Sequence, residues 1–210
     1  LATAAMRGWR PKRNNSGLQA LAARRGLNYG DTDPYGSSRL LFDRFNEGIE
    51  RGFGPYVFPA DHQRELRAFE FWWEVQTDRN ERVRYWSTCV AGTFPVWAPY
   101  LVISPERWAT KLLSMVTAAD VEVESEEFNR MFHVRCDSKR FATLVLTPAL
   151  IELMVVTDGL IELEIHGDSF CVTTRRARPD QYPSLLRLAD DIASRVPANL
   201  VDLFAPGPAR

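Results

Sequence analysis

The residues able to do chemistry in this chain are few and dispersed. Three histidines, His62, His133 and His166, stand far apart with no HExxH or HxH spacing, so a metal triad would depend on the fold gathering them. Three cysteines, Cys89, Cys136 and Cys171, form an odd set without CxxC spacing, which reads as three small apolar core residues and not a disulfide framework or zinc site. The densest titratable group is Asp120, Glu122, Glu124, Glu126 and Glu127. Carboxylates at alternate strand positions share a face and could hold a hard cation. The spacing is not that of an EF-hand, and the run reads more simply as a solvated strand edge with Val121 and Val123 pointing inward. No Walker loop, GxGxxG or GxSxG occurs, and Ser87 and Ser169 lie in strand patterns and not at nucleophile elbows. These residues predict no catalytic site, no metal and no cofactor.

Two other groups suggest binding. Arg7, Arg10, Lys12 and Arg13 carry four positive charges around Trp9, with no acid among the first thirteen residues. Cytoplasmic flanks of transmembrane helices collect Lys and Arg, and Trp favours the headgroup zone. Residues 1–15 are therefore expected to be a basic juxtamembrane segment touching anionic lipid headgroups, below a single-pass anchor in the plasma membrane, with the domain on the cytoplasmic side. A competing address is export, since Ala2-Thr3-Ala4 has the small-residue character of a signal-peptidase site. A net charge of −1 argues against a general nucleic-acid binder. The second group is aromatic. Six tryptophans are many for 210 residues. Trp73, Trp97 and Trp108 are expected in the core. Trp72 and Trp86 fall on the charged face of their strands beside Glu70, Glu74 and Arg84. Trp72, Glu74, Arg84 and Trp86 are therefore the expected partner-contact residues, because aromatics and Arg are enriched at interfaces. The competing assignment is that a helix covers both rings as a second core layer.

The elements that would position these residues follow from periodicity. Residues 66–76 alternate with period two, Phe69, Phe71, Trp73 and Val75 against Glu70, Trp72 and Glu74. Residues 82–91 alternate likewise, and five residues between them suit a hairpin loop. Setting Gln76 opposite Arg82 places Glu74 against Arg84, Trp72 against Trp86 and Trp73 against Tyr85, each such pair contributing roughly 0.2–1 kcal/mol. A second hairpin is predicted over 160–174, turning at Gly167-Asp168. Helices are predicted from Ser16 to Arg25, after Ser104-Pro105, from Asp137-Ser138, from Thr147-Pro148 and from Pro179 to Val196, each marked by a cap or proline. Strands are predicted at 100–103, 121–124 and 132–136, and residues 40–59 read as irregular with short strands. The sum is an α+β domain over 16–204, a mainly antiparallel sheet with helices packed on it, followed by a flexible tail at 205–210.

The run Val121-Glu122-Val123-Glu124-Ser125-Glu126-Glu127-Phe128-Asn129-Arg130-Met131-Phe132-His133-Val134-Arg135 resembles the signature of a group of actinobacterial membrane-anchored proteins. Arg140-Phe141-Ala142 and Leu146-Thr147-Pro148 follow as in that group, and Leu18 to Gly26 is similar to its post-membrane helix. The resemblance implies one N-terminal transmembrane helix, a cytoplasmic α+β domain without catalytic residues, and association with an RND-type MmpL transporter that exports trehalose monomycolate for the mycolic-acid envelope. A lipid or small-ligand carrier with an aromatic-lined cleft is the alternative function.

Overall fold

The structure is a computed structural model that describes residues 12–78, 80–108 and 119–204, with side chains from residue 15 onward apart from Ala119. Seven strands form one sheet: β1 (Leu27–Gly30), β2 (Glu50–Pro59), β3 (Arg67–Gln76), β4 (Arg82–Pro105), β5 (Ala119–Asp120), β6 (Phe132–Cys136) and β7 (Ile161–Arg175). Six α-helices accompany them among the described residues: α1 (Lys12–Arg25), α2 (Glu126–Met131), α3 (Lys139–Val145), α4 (Pro148–Val156), α5 (Tyr182–Ser194) and α6 (Leu200–Leu203). Every strand pairing is antiparallel, and the architecture is α+β with an open sheet.

The first hairpin has the register its side chains dictate. Gln76 faces Arg82, Glu74 faces Arg84, Trp72 faces Trp86 and Trp73 faces Tyr85. The second is built into β7. Thr174 Oγ1 donates to the Leu160 carbonyl at 2.9 Å. A straight strand of that length would hold these residues roughly 45 Å apart. The strand therefore doubles back at Gly167-Asp168, where Gly167 has φ 59°, a left-handed value that suits glycine in a tight turn. The arm 169–175 pairs with 87–93 of β4, and the arm 163–167 pairs with 98–103. The register shifts between Thr93 and Ala98 mark where β4 opens to admit the hairpin between its own two halves.

The sheet thus has two unlike faces. One is buried under helices: Val90, Leu101, Ile103, Leu163, Ile165 and Val172 pack with Leu18 of α1, Phe128 of α2, Phe141 of α3, Leu150 and Met154 of α4, and Tyr182 and Leu186 of α5. The caps that fix these helices are local. Ser125, Ser138 and Thr147 accept the backbone N–H of Phe128, Phe141 and Leu150, and Pro148 occupies the first turn of α4. The other face is covered by the segment 37–48, whose Phe42 and Phe45 pack on Tyr56, Phe69, Phe71, Trp73, Cys89 and Cys171. Phe45 lies 5.0 Å from Phe71 and 5.1 Å from Phe53, centroid to centroid.

Several expectations fail for physical reasons. Residues 50–59 form a ten-residue strand, hidden from periodicity because Tyr56 and Val57 are buried on opposite faces. The strand at 121–124 is replaced by irregular chain after β5. Asn129 takes both the N–H and the carbonyl of Val123, at 3.3 and 2.7 Å, and so ends the ladder with β6. Ser104 is the penultimate residue of β4, and its hydroxyl donates to Glu162; most of the helix expected after it lies in residues 109–118, outside the described residues. Trp97 is no core residue: it is 46% exposed and lies over Gly167. All three cysteines are buried and free.

Candidate functional site

The face of the hairpin carrying Trp72 and Trp86 is a ladder of alternating charge and aromatic rings. Trp72 and Trp86 are half-buried neighbours with centroids 6.4 Å apart. The Arg84 guanidinium lies 4.0 Å over the Trp72 ring and reaches Glu74 Oε1 with Nε at 2.9 Å and Nη2 at 2.5 Å. At the other end Arg176 lies 4.5 Å from the Trp86 centroid and binds Glu70 through Nε at 3.0 Å and Nη2 at 3.2 Å. Such stacked cations contribute about 0.5–2 kcal/mol each. Trp72 also stands over Gly52 on β2, where a Cβ would meet its indole nitrogen at 2.6 Å. Only a residue without a side chain lets that ring lie down. Glu74 itself is 5% exposed, so its place in the site is to hold Arg84 and not to meet solvent. Arg176, which the sequence did not single out, completes the ladder. Its signal is weak, since it lies in the loop after β7.

The opposite face holds a cleft of about 650 Å³ between the 43–48 segment and the sheet. Its floor is polar. Glu162 and Glu164 on β7 are each 3% exposed. Glu162 accepts Arg44 Nε at 2.9 Å and Nη2 at 2.6 Å through one oxygen and the Ser104 hydroxyl at 2.6 Å through the other. Glu164 accepts the Asp43 backbone N–H at 2.7 Å. Burial, with the Glu162 carboxylate next in weight, pushes the Glu164 carboxyl well above the usual range. Burial likewise raises Asp43, and raises Tyr100, whose hydroxyl faces the Glu164 and Asp43 carboxyls. Burial pulls the Arg44 guanidinium down most, but Glu162 and Glu47 together with smaller contributions outweigh it and the group is raised. The walls are aromatic: Trp73 stacks on Tyr85 at 5.5 Å and 24°, and Arg44 lies 5.8 Å from the Trp108 centroid. Sequence reasoning missed this site. Glu162 and Glu164 alternate with Ile161, Leu163 and Ile165, a pattern that predicts a solvated face. The signal against that reading is that Val102, paired with Glu164 across the strands, is itself buried and apolar.

The remaining predicted residues scatter. His133 Nε2 lies 3.1 Å from Asp120, His166 Nδ1 lies 2.9 Å from the Leu41 carbonyl, and His62 contacts the Tyr35 hydroxyl. No group of three His, Cys, Asp or Glu among the described residues is placed to hold a metal ion. Arg7, Trp9 and Arg10 lie outside the described residues, as do residues 109–118 and the 205–210 tail. Lys12 and Arg13 fall in the first turn of α1 with side chains not described. No helix among the described residues is long and apolar enough to cross a membrane.

An open antiparallel sheet, helices on one face and a long fourth strand, β4, whose two halves flank the β7 hairpin define a distinctive α+β class. The chain has the fold of the mycobacterial trehalose monomycolate transport factor A, TtfA. Its crystal structure superposes with a TM-score of 0.63 over 94% of this chain and 99% of that one, at 11% sequence identity. No protein-family model matches the chain, and no curated protein does.

Proposed function

We propose that this chain is a non-enzymatic accessory factor for export of trehalose monomycolate, tethered at the cytoplasmic face of the plasma membrane and acting by contact with an RND-type MmpL transporter. The observation that carries the reading is the end-to-end likeness to TtfA, a protein whose name states a role in trehalose monomycolate transport. The polar groups of the described fold also support it, because the prominent buried acids are tied to their neighbours: Glu162 to Arg44 and Ser104, Glu70 to Arg176, Glu74 to Arg84. Arg7, Trp9, Arg10, Lys12 and Arg13 orient the domain against anionic headgroups. Tethering raises the effective concentration of domain and transporter, so a modest interface suffices. Trp72, Glu74, Arg84 and Trp86, with Arg176, form that interface.

Co-purification of the full-length protein with the transporter in mild detergent tests the reading. The complex is expected to survive, and the double variant Trp72→Ala/Trp86→Ala to lower recovery at least about tenfold, as loss of a central aromatic pair does at other interfaces. Failure of the wild-type protein to bring down an intact transporter overturns it. A second reading, a small-ligand carrier, is favoured by one observation: the cleft of about 650 Å³ with aromatic walls on the other face of the sheet.

A further inference from the structure

The cleft between the 43–48 segment and the sheet has features that a packing role leaves unexplained. A sheet face covered by a loop needs only apolar contacts, which Phe42 and Phe45 already supply beside it. The cleft instead keeps open volume, about 650 Å³, with a rigid polar floor and a stacked aromatic wall. The wall is reachable from outside, because Tyr85 is 43% exposed.

Charge decides what can enter. Arg44 already occupies the centre of the acids, 2.6 Å from Glu162 and 3.4 Å from Glu47. A second cation would meet that guanidinium. An anion would meet the carboxylates of Glu162 and Glu47. Glu164 lies on the same floor, its carboxyl pushed well above the usual range by burial, so it adds nothing to attract a cation past Arg44. An uncharged ligand meets neither repulsion. Carboxyl, guanidinium, phenol and amide groups line one side, offering both donors and acceptors. The Tyr85 ring, held against buried Trp73, lines the other, offering a flat apolar surface to C–H bonds. A molecule with hydroxyls on its edges and C–H groups on its faces matches both walls at once.

We infer that this cleft is a binding site for a neutral, hydroxyl-rich ligand, a saccharide taken either free or as the headgroup of a glycolipid. The ring lies on Tyr85, which the buried Trp73 backs at 5.5 Å, and its hydroxyls reach Asp43, Asn46 and Glu47 at the rim. This inference rests on the ligand-carrier reading above and names the ligand class for it. Val83, 36% exposed and paired with Val75 at the cleft wall, offers an apolar margin along which an alkyl chain could leave.

The test is calorimetric titration of the 210-residue chain with four probes: sucrose, octyl glucoside, octyltrimethylammonium and octanoate, the last three below their micelle concentrations. Saturable binding of sucrose or octyl glucoside is expected, weakened about fivefold or more by Tyr85→Ala, the scale of one lost aromatic contact. Asn46→Ala, at an exposed rim position, should weaken it too, with thermal melting of both variants like wild type. Equal affinity for both sugars assigns a free saccharide; a clear preference for octyl glucoside assigns a glycolipid. Saturable binding of the ammonium or carboxylate probe with no sugar binding overturns the neutral class and leaves the carrier reading standing. Sugar binding that ignores both variants overturns the site. Absence of saturable binding by all four probes overturns inference and carrier reading together.

Discussion

The two faces of the central sheet are built by different rules. The helix-covered face is closed over its centre with apolar side chains, Phe141, Leu150, Tyr182 and their neighbours against Leu101, Leu163 and Val172, and its buried acids, Glu70 and Glu74, are tied to Arg176 and Arg84 beside the Trp72–Trp86 pair. The loop-covered face buries Glu162, Glu164 and Arg44 beside Phe42, Phe45 and Trp73. Burying hydrocarbon stabilises in proportion to area, whereas burying an ion pair recovers little beyond its own desolvation. The first face is what a domain needs to fold. The second sets its buried acids and Arg44 around an open cleft, which is where binding chemistry is to be sought.

That contrast can be broken most severely at its two centres. Phe141→Ala should lower unfolding free energy by about 3–5 kcal/mol, through lost burial and the cavity left behind. Arg44→Ala should cost a similar amount, about 3–5 kcal/mol, for the different reason that it strands the buried Glu162 carboxylate. Urea denaturation separates the two when the partner is changed as well. Arg44→Met combined with Glu162→Leu should be near neutral or stabilising, while no second change near residue 141 should rescue its cavity. If the double replacement is as damaging as Arg44→Ala alone, the polar floor is a structural requirement after all.

Smaller effects sharpen the picture. Gly52→Ala should cost about 1–3 kcal/mol by forcing the Trp72 ring off its seat, and should shift tryptophan fluorescence. The pH dependence of stability should carry the mark of Glu164. Its folded pKa is raised above the ordinary 4.5, so the native state binds the extra proton. Its contribution is full below pH 4.5 and is lost as pH rises through the folded value. Glu164→Gln should flatten that decline in chemical denaturation curves recorded from pH 4.5 upward. Ser138→Ala, which removes the cap on α3, should cost about 1 kcal/mol on the helix-covered face and leave the pH profile unchanged.

Much of this was legible where chemistry is local. The Trp72–Trp86 and Glu74–Arg84 pairs set the register of the first hairpin, and Ser138 and Thr147 announced their helices. Legibility ended where a residue's surroundings come from far along the chain. Glu162 looks solvated until residues 43 and 44, some 118 positions earlier, are laid across it. Trp97 looks like core until the Gly167 turn, which it covers, is seen at the open end of the sheet. The second strand went unread because both of its faces are covered, which erases the alternation that period-two reasoning detects.

The hairpin wedged between the two halves of β4 also constrains how the protein can be made. Residues 82–105 leave the ribosome long before residues 161–175, and until then the two halves have a gap where their neighbours belong. The nascent chain therefore waits, with strand edges unpaired, for its last third. A chain stopped after α4 would be no smaller domain but a split sheet with open edges, and a natural client for chaperones.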